Sequence, residues 1–210
     1  MTTPRRALIV IDVQNEYVTG DLPIEYPPVQ VSLANIGRAM DAARAASVPT
    51  VVVQNLAPAT SPLFASGSHG AELHPSVASR GYEHLVTKSL PSAFAQTDLA
   101  DWLAQHQVDT LTVVGYMTHN CDASTIFHAT HAGLAVEFLH DATGSVPYEN
   151  AAGFASAEDI HRVFSVVLQS RFAAVASTDQ WIEALAAGRA LERGNIYASN
   201  QKARATLAAG

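Results

Sequence analysis

ALIVIDV, residues Ala7 to Val13, is a run of aliphatic and β-branched residues broken only by Asp12. A strand with one wet face alternates apolar and polar residues. An unbroken apolar run of this length reads as a strand buried on both faces, as in a parallel sheet. The pattern returns at TVVVQ (Thr50 to Gln54), TLTVVGY (Thr110 to Tyr116) and LAVEFLHDA (Leu134 to Ala142). Shorter strands are predicted at HLVTK (His84 to Lys88) and FAAVAS (Phe172 to Ser177).

Helical stretches lie between these runs. Val29 to Ala46 carries Val31, Ala34, Ile36, Ala39, Met40 and Ala43 as its apolar positions and is ended by Ser47-Val48-Pro49. Thr97 to Gln107 turns Leu99, Trp102 and Leu103 inward, with Thr97 or an adjacent polar residue as its cap. Asn120 to Gly133 is stopped by its glycine, and Ser156 to Ser170 and Thr178 to Ala187 complete the set. The alternation predicts an α/β fold, a three-layer α/β/α sandwich around a mostly parallel sheet of about six strands with right-handed crossovers. Asn55 to Tyr82, rich in Pro, Ser, Gly and His, is long for a connection in a compact domain, and such loops are often functional. Residues 1–190 read as the domain. Residues 191–210, polar and Ala-rich, read as a tail or an arm that packs on a neighbouring subunit.

Composition narrows the partners. The chain has 210 residues, 48% hydrophobic and 15% charged, which suits one domain with a sizeable core and argues against disorder. Twelve basic residues face 19 acidic ones, for a net charge of −7 and no basic cluster, so nucleic acid is not an expected partner. In MTTPRRALIVIDVQ two arginines precede an apolar run that Asp12 cuts short, so the segment reads as neither a signal peptide nor a membrane span. No membrane partner is expected. The single cysteine, Cys121, excludes an intrachain disulfide and points to a reducing, cytoplasmic setting.

Ligands of open parallel sheets bind beyond the carboxyl ends of the strands. Three reactive residues stand there: Asp12 near the end of the first strand, Lys88 at the end of HLVTK, and Cys121 after TLTVVGY, where a helix begins. Singly, each has an ordinary structural explanation: a turn aspartate, a solvated lysine, a packing cysteine. Together they hold what thiol catalysis requires. The thiolate is the nucleophile, and an unperturbed thiol of pKa about 8.5 is mostly protonated at neutral pH. A helix N-terminus and an ammonium favour thiolate, and a carboxylate can take the proton and return it. No GxGxxG follows the first strand and no GxSxG elbow is present, which argues against a dinucleotide oxidoreductase and a serine hydrolase of similar topology.

These residues sit in segments that resemble the isochorismatase-like cysteine hydrolases, a family that includes nicotinamidases and N-carbamoylsarcosine amidohydrolase. ALIVIDVQNEYVTGDLP is similar to the family's opening strand and Asp-x-Gln turn, and ELHPSVA with VTKSLPSAF to its lysine segment. VDTLTVVGYMTHNCDAST is similar to its nucleophile segment and LAVEFLHDATGS to the strand that comes next, so the resemblance runs from about Ala7 to about Ala187. It implies a catalytic triad of Asp12, Lys88 and Cys121. It also implies a cis peptide before Met117 that turns the Met117 amide toward the Cys121 amide, the pair forming an oxyanion hole. The implied reaction is metal-independent cleavage of a C–N bond in a small amide, carbamoyl compound or ureide through a thioester, and the implied assembly is a homo-oligomer. Two alternatives stand beside it. Vinyl-ether hydrolysis of the isochorismatase type needs no thiol, so the intact trio favours the amidase. A catalytically weak binding or assembly protein of the same fold draws its support from Asp122 and the tail.

Other residues have more than one reading. Gln14, Tyr17, Phe94 and Tyr148 lie near strand ends, where they line a substrate pocket or simply pack. Thr118 braces the nucleophile turn through its hydroxyl, and His119 reads as pocket wall rather than general base. Nicotinamidases carry an Asp-x-His pair and a further histidine that bind metal. Here Gln54, Asn55 and Leu56 occupy the first positions, and His69 and His74 alone make a poor site, so no metal or other cofactor is expected. His128 and His131 have a ligand-like i, i+3 spacing but read as surface or interface residues. Asp122, at a position usually apolar in the family, either satisfies free amides at the helix start or faces Cys121 and weakens the nucleophile.

Overall fold

The computed structural model describes residues 3–209; Met1, Thr2 and Gly210, which the readings of the N-terminus and the tail include, lie outside them. The strands are β1 (Arg6–Ile11), β2 (Thr50–Asn55), β3 (His84–Lys88), β4 (Thr110–Tyr116), β5 (Ala135–Gly144), β6 (Tyr148–Asn150), β7 (Gly153–Ala155) and β8 (Ala174–Ala176). The helices are α1 (Val29–Ala45), α2 (Pro75–Ala78), α3 (Leu99–Gln105), α4 (Ala123–His131), α5 (Ala157–Arg171), α6 (Thr178–Ala186) and α7 (Ile196–Ala208). Six strands form one sheet in the order β3-β2-β1-β4-β5-β8, every pair parallel.

The unbroken apolar run in β1 has a direct cause, since all six of its residues are buried. Ala7, Ile9 and Ile11 pack toward Leu99 and Trp102 of α3, Ile126 of α4 and Leu168 of α5. Leu8 and Val10 pack on the other face toward Leu33, Ile36 and Met40 of α1 and Trp181 of α6. The fold is therefore the expected three-layer α/β/α sandwich. The chain starts in mid-sheet, builds outward to β3, then returns to build the other half from β4. The order reverses between β1 and β4, and the crevice at their carboxyl ends is the binding position of such sheets.

Several boundaries differ from expectation. In α1, Val31 and Ala34 face solvent and Leu33 faces inward, because Leu33, Ile36 and Met40 set the buried stripe at helical spacing. α3 is shorter than predicted: Asp98 stands at its cap without a side-chain bond, while Thr97 Oγ1 accepts from the Leu99 amide at 3.4 Å. β5 runs on to Gly144, past a register shift in which Phe138 to Thr143 oppose only Val113 to Gly115 of β4. The antiparallel β6–β7 hairpin is an element the sequence pattern does not predict; Asn150 Oδ1 accepts from the Ala152 amide and Gly153 takes φ +126° to turn it. The long 55–82 segment contains α2 and folds back on the first strand's exit through a Gln14–Leu73 bridge. Within residues 191–209, α7 buries none of its side chains.

Toward the amino-terminal edge of the sheet a buried ion pair ties β1 to β5. Arg6 donates to both Glu137 oxygens at 2.9 and 2.7 Å, and Glu137 Oε2 also accepts from Thr112 and from Trp181 Nε1, each at 2.9 Å.

Candidate active site

Asp12 directly follows β1 and takes φ +50°, a left-handed conformation that Asp tolerates better than most residues. Its amide donates to the Val53 carbonyl at 2.9 Å, and its side chain is wholly buried. Beside it Gly115 takes φ +115°, and a Cβ there would lie 2.0 Å from the Ile11 carbonyl oxygen. Only glycine lets β4 approach the end of β1 so closely. Lys88, the last residue of β3, reaches past β2 toward the same point. β3 and β1 are two strand spacings of about 4.8 Å apart, a gap closed by the long lysine side chain from one side and Asp12 from the other. Its Nζ lies 2.6 Å from Asp12 Oδ2, 3.3 Å from Cys121 Sγ and 3.5 Å from Asn55 Oδ1. Cys121 sits in a single π-helical turn, Thr118 to Asp122, which follows a cis Tyr116–Met117 peptide and leads into α4. The chain thus brings Asp12, Lys88 and Cys121 together at the crevice between β1 and β4, all three buried.

Burial dominates the electrostatics. It pushes the Asp12 carboxyl up, against the Lys88 ammonium that holds it down. Neither Asp12 oxygen receives a well-directed hydrogen bond, so the contact with Lys88 is an ion pair. Burial opposes the Lys88 charge, but Asp12 and then Cys121 outweigh it and the net displacement is upward. Burial and then the Asp12 charge push the Cys121 thiol well up, with Lys88 opposing. At rest Lys88 is therefore an ammonium and Cys121 a thiol. Burial and the carboxylate here outweigh the pull toward thiolate that Lys88 and a helix start lead one to expect.

The remaining predicted residues divide by what they touch. Gln14 is fully buried; its Nε2 donates to the Asn55 and Ala71 carbonyls and its Oε1 accepts from the Asn55 amide. Tyr17 packs on Phe64 and Tyr116, and its phenol, pushed up by burial, feels Asp12 and Cys121. Phe94 shares the core around Cys121 and stacks on the exposed His128 ring at 4.5 Å. Thr118 Oγ1 lies 3.0 Å from Thr143 Oγ1 and 2.9 Å from His161 Nδ1. His119 bonds Ser145 Oγ through Nδ1 and the Tyr148 hydroxyl through Nε2, and burial lowers its pKa to about 4. Tyr148 is largely exposed on the hairpin; burial and then Cys121 raise its pKa. A cavity of about 270 Å³ contains His119 and Tyr148 among its walls, with Phe154 and Phe164; Cys121 is not in that lining.

Asp122 corrects one expectation. It makes no capping bond to α4 and lies within the helical turn itself, at φ −63° and ψ −54°. Its Oδ2 shares a hydrogen bond with Thr143 Oγ1, and its Oδ1 has no partner among the described residues. Burial raises its pKa to about 7. It is not among the groups that perturb the thiol.

Three residues escape sequence reasoning. Asn55 reads from sequence only as a lost metal ligand, yet it contacts Lys88. Thr143 and His161 carry no motif; spacing alone marks His161 as inward-facing, seven residues from buried Leu168 on α5. The loop histidines are engaged elsewhere, His69 with Glu72 and His74 with Ser76 at the start of α2. Among the described residues no three His, Cys, Asp or Glu side chains cluster as metal ligands, and no helix is long and apolar enough to cross a membrane.

Comparison with known proteins gives the family of the chain. Residues 6–180 match the family model described as the isochorismatase domain. A crystal structure of a candidate isochorismatase from Burkholderia xenovorans LB400 is 81% identical and superposes with a TM-score of 0.98, covering 99% of this chain and 100% of that one. The secreted isochorismatase effector Isc1 of Verticillium dahliae is 32% identical over 81% of this chain and 90% of its own length. The nicotinamidase of Escherichia coli is 28% identical over 72% of this chain and 90% of its own.

Proposed function

Since the chain belongs to the isochorismatase family and is a cysteine hydrolase related to amidases, we propose that it hydrolyses a C–N bond of a small amide, carbamoyl compound or ureide, with Asp12, Lys88 and Cys121 as the catalytic residues. The observation that carries this reading is the position of Lys88 Nζ, 2.6 Å from the carboxylate and 3.3 Å from the sulfur. Asp12 takes the thiol proton as Sγ attacks the carbonyl carbon. Lys88 stays charged and steadies whichever neighbour is the anion. The Met117 and Cys121 amides receive the oxyanion, an arrangement worth about 3 kcal/mol per donor in other enzymes. Asp12 returns its proton to the nitrogen as the C–N bond breaks, leaving a thioester and a free amine or ammonia. A water then attacks the thioester with Asp12 as base. The products are an acid, or its carbamic equivalent, and the restored thiol.

We take the chemistry to need no metal, because Gln54, Asn55 and Leu56 offer no strong ligand set and His69 and His74 are committed to other partners. Phe94 and Tyr17 serve as apolar wall, and His119 with Tyr148 as a polar rim. Gln14 and Thr118 act through the backbone and turn they hold. The reading of Asp122 as a poison of the nucleophile loses its support, since its side chain goes to Thr143. The tail from 191 is proposed to pack on another copy of the chain: α7 exposes Ile196, Tyr197 and Leu207, and α5 beside it exposes Val163, Val166 and Val167. A cytoplasmic setting accords with a lone unpaired cysteine.

The test is ammonia or amine release from a panel of small amides, carbamoyl compounds and ureides, with Cys121→Ala as control. Turnover by the parent and its abolition in a folded Cys121→Ala protein are expected, with an acyl adduct on Cys121 by mass spectrometry. Parental rates in Cys121→Ala would overturn the proposal.

A further inference from the structure

Behind the nucleophile turn four side chains form one continuous chain. Asp122 Oδ2 meets Thr143 Oγ1, Thr143 Oγ1 meets Thr118 Oγ1 at 3.0 Å, and Thr118 Oγ1 meets His161 Nδ1 at 2.9 Å. All four residues are buried. The chain joins the residue after Cys121 to the first residue of its turn and then to α5.

A hydroxyl carries one proton, so two adjoining hydroxyls must point the same way along such a chain. In one direction, His161 Nδ1–H donates to Thr118, Thr118 to Thr143, and Thr143 to an Asp122 carboxylate. In the other, Asp122 is a carboxylic acid that donates to Thr143, Thr143 donates to Thr118, and Thr118 donates to a bare His161 Nδ1.

The unpartnered oxygen of Asp122 favours the second. Its Oδ1 is buried and receives no hydrogen bond among the described residues. A buried carboxylate oxygen without a donor is far costlier than the carbonyl oxygen of a neutral acid. The chain then runs outward from Asp122 and ends on a bare His161 Nδ1, 2.9 Å from Thr118 Oγ1. Burial lowers the His161 pKa to about 4, so near neutrality the ring is uncharged and has one nitrogen free to accept.

We propose that Asp122 is the neutral acid that donates into this chain, and that Asp122 and His161 are positioning residues that hold the Thr118–Asp122 turn, and with it Cys121, in register for attack. The inference rests on the hydrolase reading only for its effect on rate; the direction of the chain does not depend on it. Its charged neighbours are Asp12, which disfavours ionisation of Asp122, and Lys88, which favours it. The phenols of Tyr17 and Tyr116 also feel Asp122. At the far end His140 and His119 disfavour charge on His161, and Tyr26 meets its ring edge-on at 5.6 Å. Glu158 and Arg162, one of each sign, share with His161 the walls of a cavity of about 970 Å³. Ionising Asp122 forces the chain to reverse. His161 must then carry its only N–H on Nδ1.

Two experiments on the full chain test this. In the first, ¹⁵N NMR reads the two ring nitrogens of His161 one pH unit either side of about 7, where Asp122 titrates. The expected result is a bare Nδ1 below, a shift of the proton toward Nδ1 above, and no shift in Asp122→Asn, which donates but does not titrate. A protonated Nδ1 on the acid side, or the same titration in Asp122→Asn, overturns the proposal. This arm needs no substrate, so failure of the hydrolase reading leaves it decisive. In the second, Asp122→Leu lowers kcat by about tenfold or more with little change in KM, by misplacing the nucleophile. Asp122→Asn is expected to recover most of that loss and to lack the fall in kcat/KM expected of the parent above about pH 7. Parental kcat in Asp122→Leu, or the same alkaline fall in Asp122→Asn, overturns it as well.

Discussion

Replacing Lys88 by methionine keeps much of the side chain's length and removes the only cation in contact with Asp12 among the described residues. At an effective dielectric of about 20, the attraction across the 2.6 Å Asp12–Lys88 contact is about 6 kcal/mol. Protonating a carboxyl whose unfolded pKa is about 3.9 takes only about 4 kcal/mol at pH 7. Without Lys88, therefore, the buried Asp12 takes up a proton instead of remaining an unpaired charge. That choice makes the damage depend on pH. The folded pKa of Asp12 in the variant lies far above its unfolded value, so its stability is fully present below about pH 4 and is lost as pH rises. In the parent, Asp12 is displaced in the same direction but held back by Lys88, so it ionises earlier. Between those two folded values the deficit of the variant grows by about 1.4 kcal/mol per pH unit. The protonation cost is about 1.5 kcal/mol at pH 5 against about 4 kcal/mol at pH 7. Urea unfolding of both proteins at several pH values, monitored by the fluorescence of buried Trp102 and Trp181, reads this directly. A deficit that stays the same from pH 5 to 7 would refute the reasoning, because Asp12 would then carry its charge without the ammonium. Hydrolysis should be lost wherever the variant's Asp12 is protonated, since a protonated Asp12 cannot accept the thiol proton.

Two further outcomes concern the scaffold. Glu137→Ala leaves the buried Arg6 guanidinium without its carboxylate and removes an acceptor from Thr112 and Trp181; unfolding should be easier by about 3–5 kcal/mol, while kcat measured on the folded fraction should hold because the site lies at the other end of the strands. Gly115→Ala places a methyl where the Ile11 carbonyl oxygen lies, at a φ of +115°; a loss of about 3 kcal/mol or more by thermal unfolding is expected, with activity falling further because the displaced carbonyl directly precedes Asp12.

The fold is legible in the sequence wherever burial leaves a mark on residue type. β1 and β4 are buried throughout, and Ala7 to Ile11 and Val113 to Tyr116 are correspondingly free of charged residues and rich in aliphatic ones. The same logic places Asp12 and Cys121 just beyond such runs, whereas Lys88 ends β3, an edge strand whose alternating exposure leaves a weaker mark. Less legible are elements held by few side chains. The β6–β7 hairpin is three residues to a strand and almost wholly exposed, so it has no hydrophobic period to read. Val31 misleads because helix facing depends on all the apolar positions together, and Leu33 with Ile36 and Met40 outweighs it. Asp122 misleads for a different reason. An acidic residue at a helix start normally finds free amides, but here the π-helical turn carries it inward, and its partner Thr143 comes from a strand 21 residues later. Local sequence has no term for that contact.

The state of the thiol is a property of the trio as a unit rather than of any one member. Burial raises Asp12 and Cys121 alike, so it disfavours both anions and contributes mainly through its difference between oxygen and sulfur. Moving the proton from Cys121 to Asp12 leaves the trio's net charge at zero, one anion beside one ammonium before and after. Lys88 lies within 3.3 Å of both, so it keeps a counter-anion throughout and no charge need enter or leave the buried crevice. A nucleophile held as a free thiolate would instead require a second buried anion beside Asp12, with one ammonium to serve two charges. The arrangement therefore keeps the sulfur protonated at rest and makes its deprotonation a short internal transfer, which is most favourable when an electrophilic carbon is present to take up the sulfur's new electron pair.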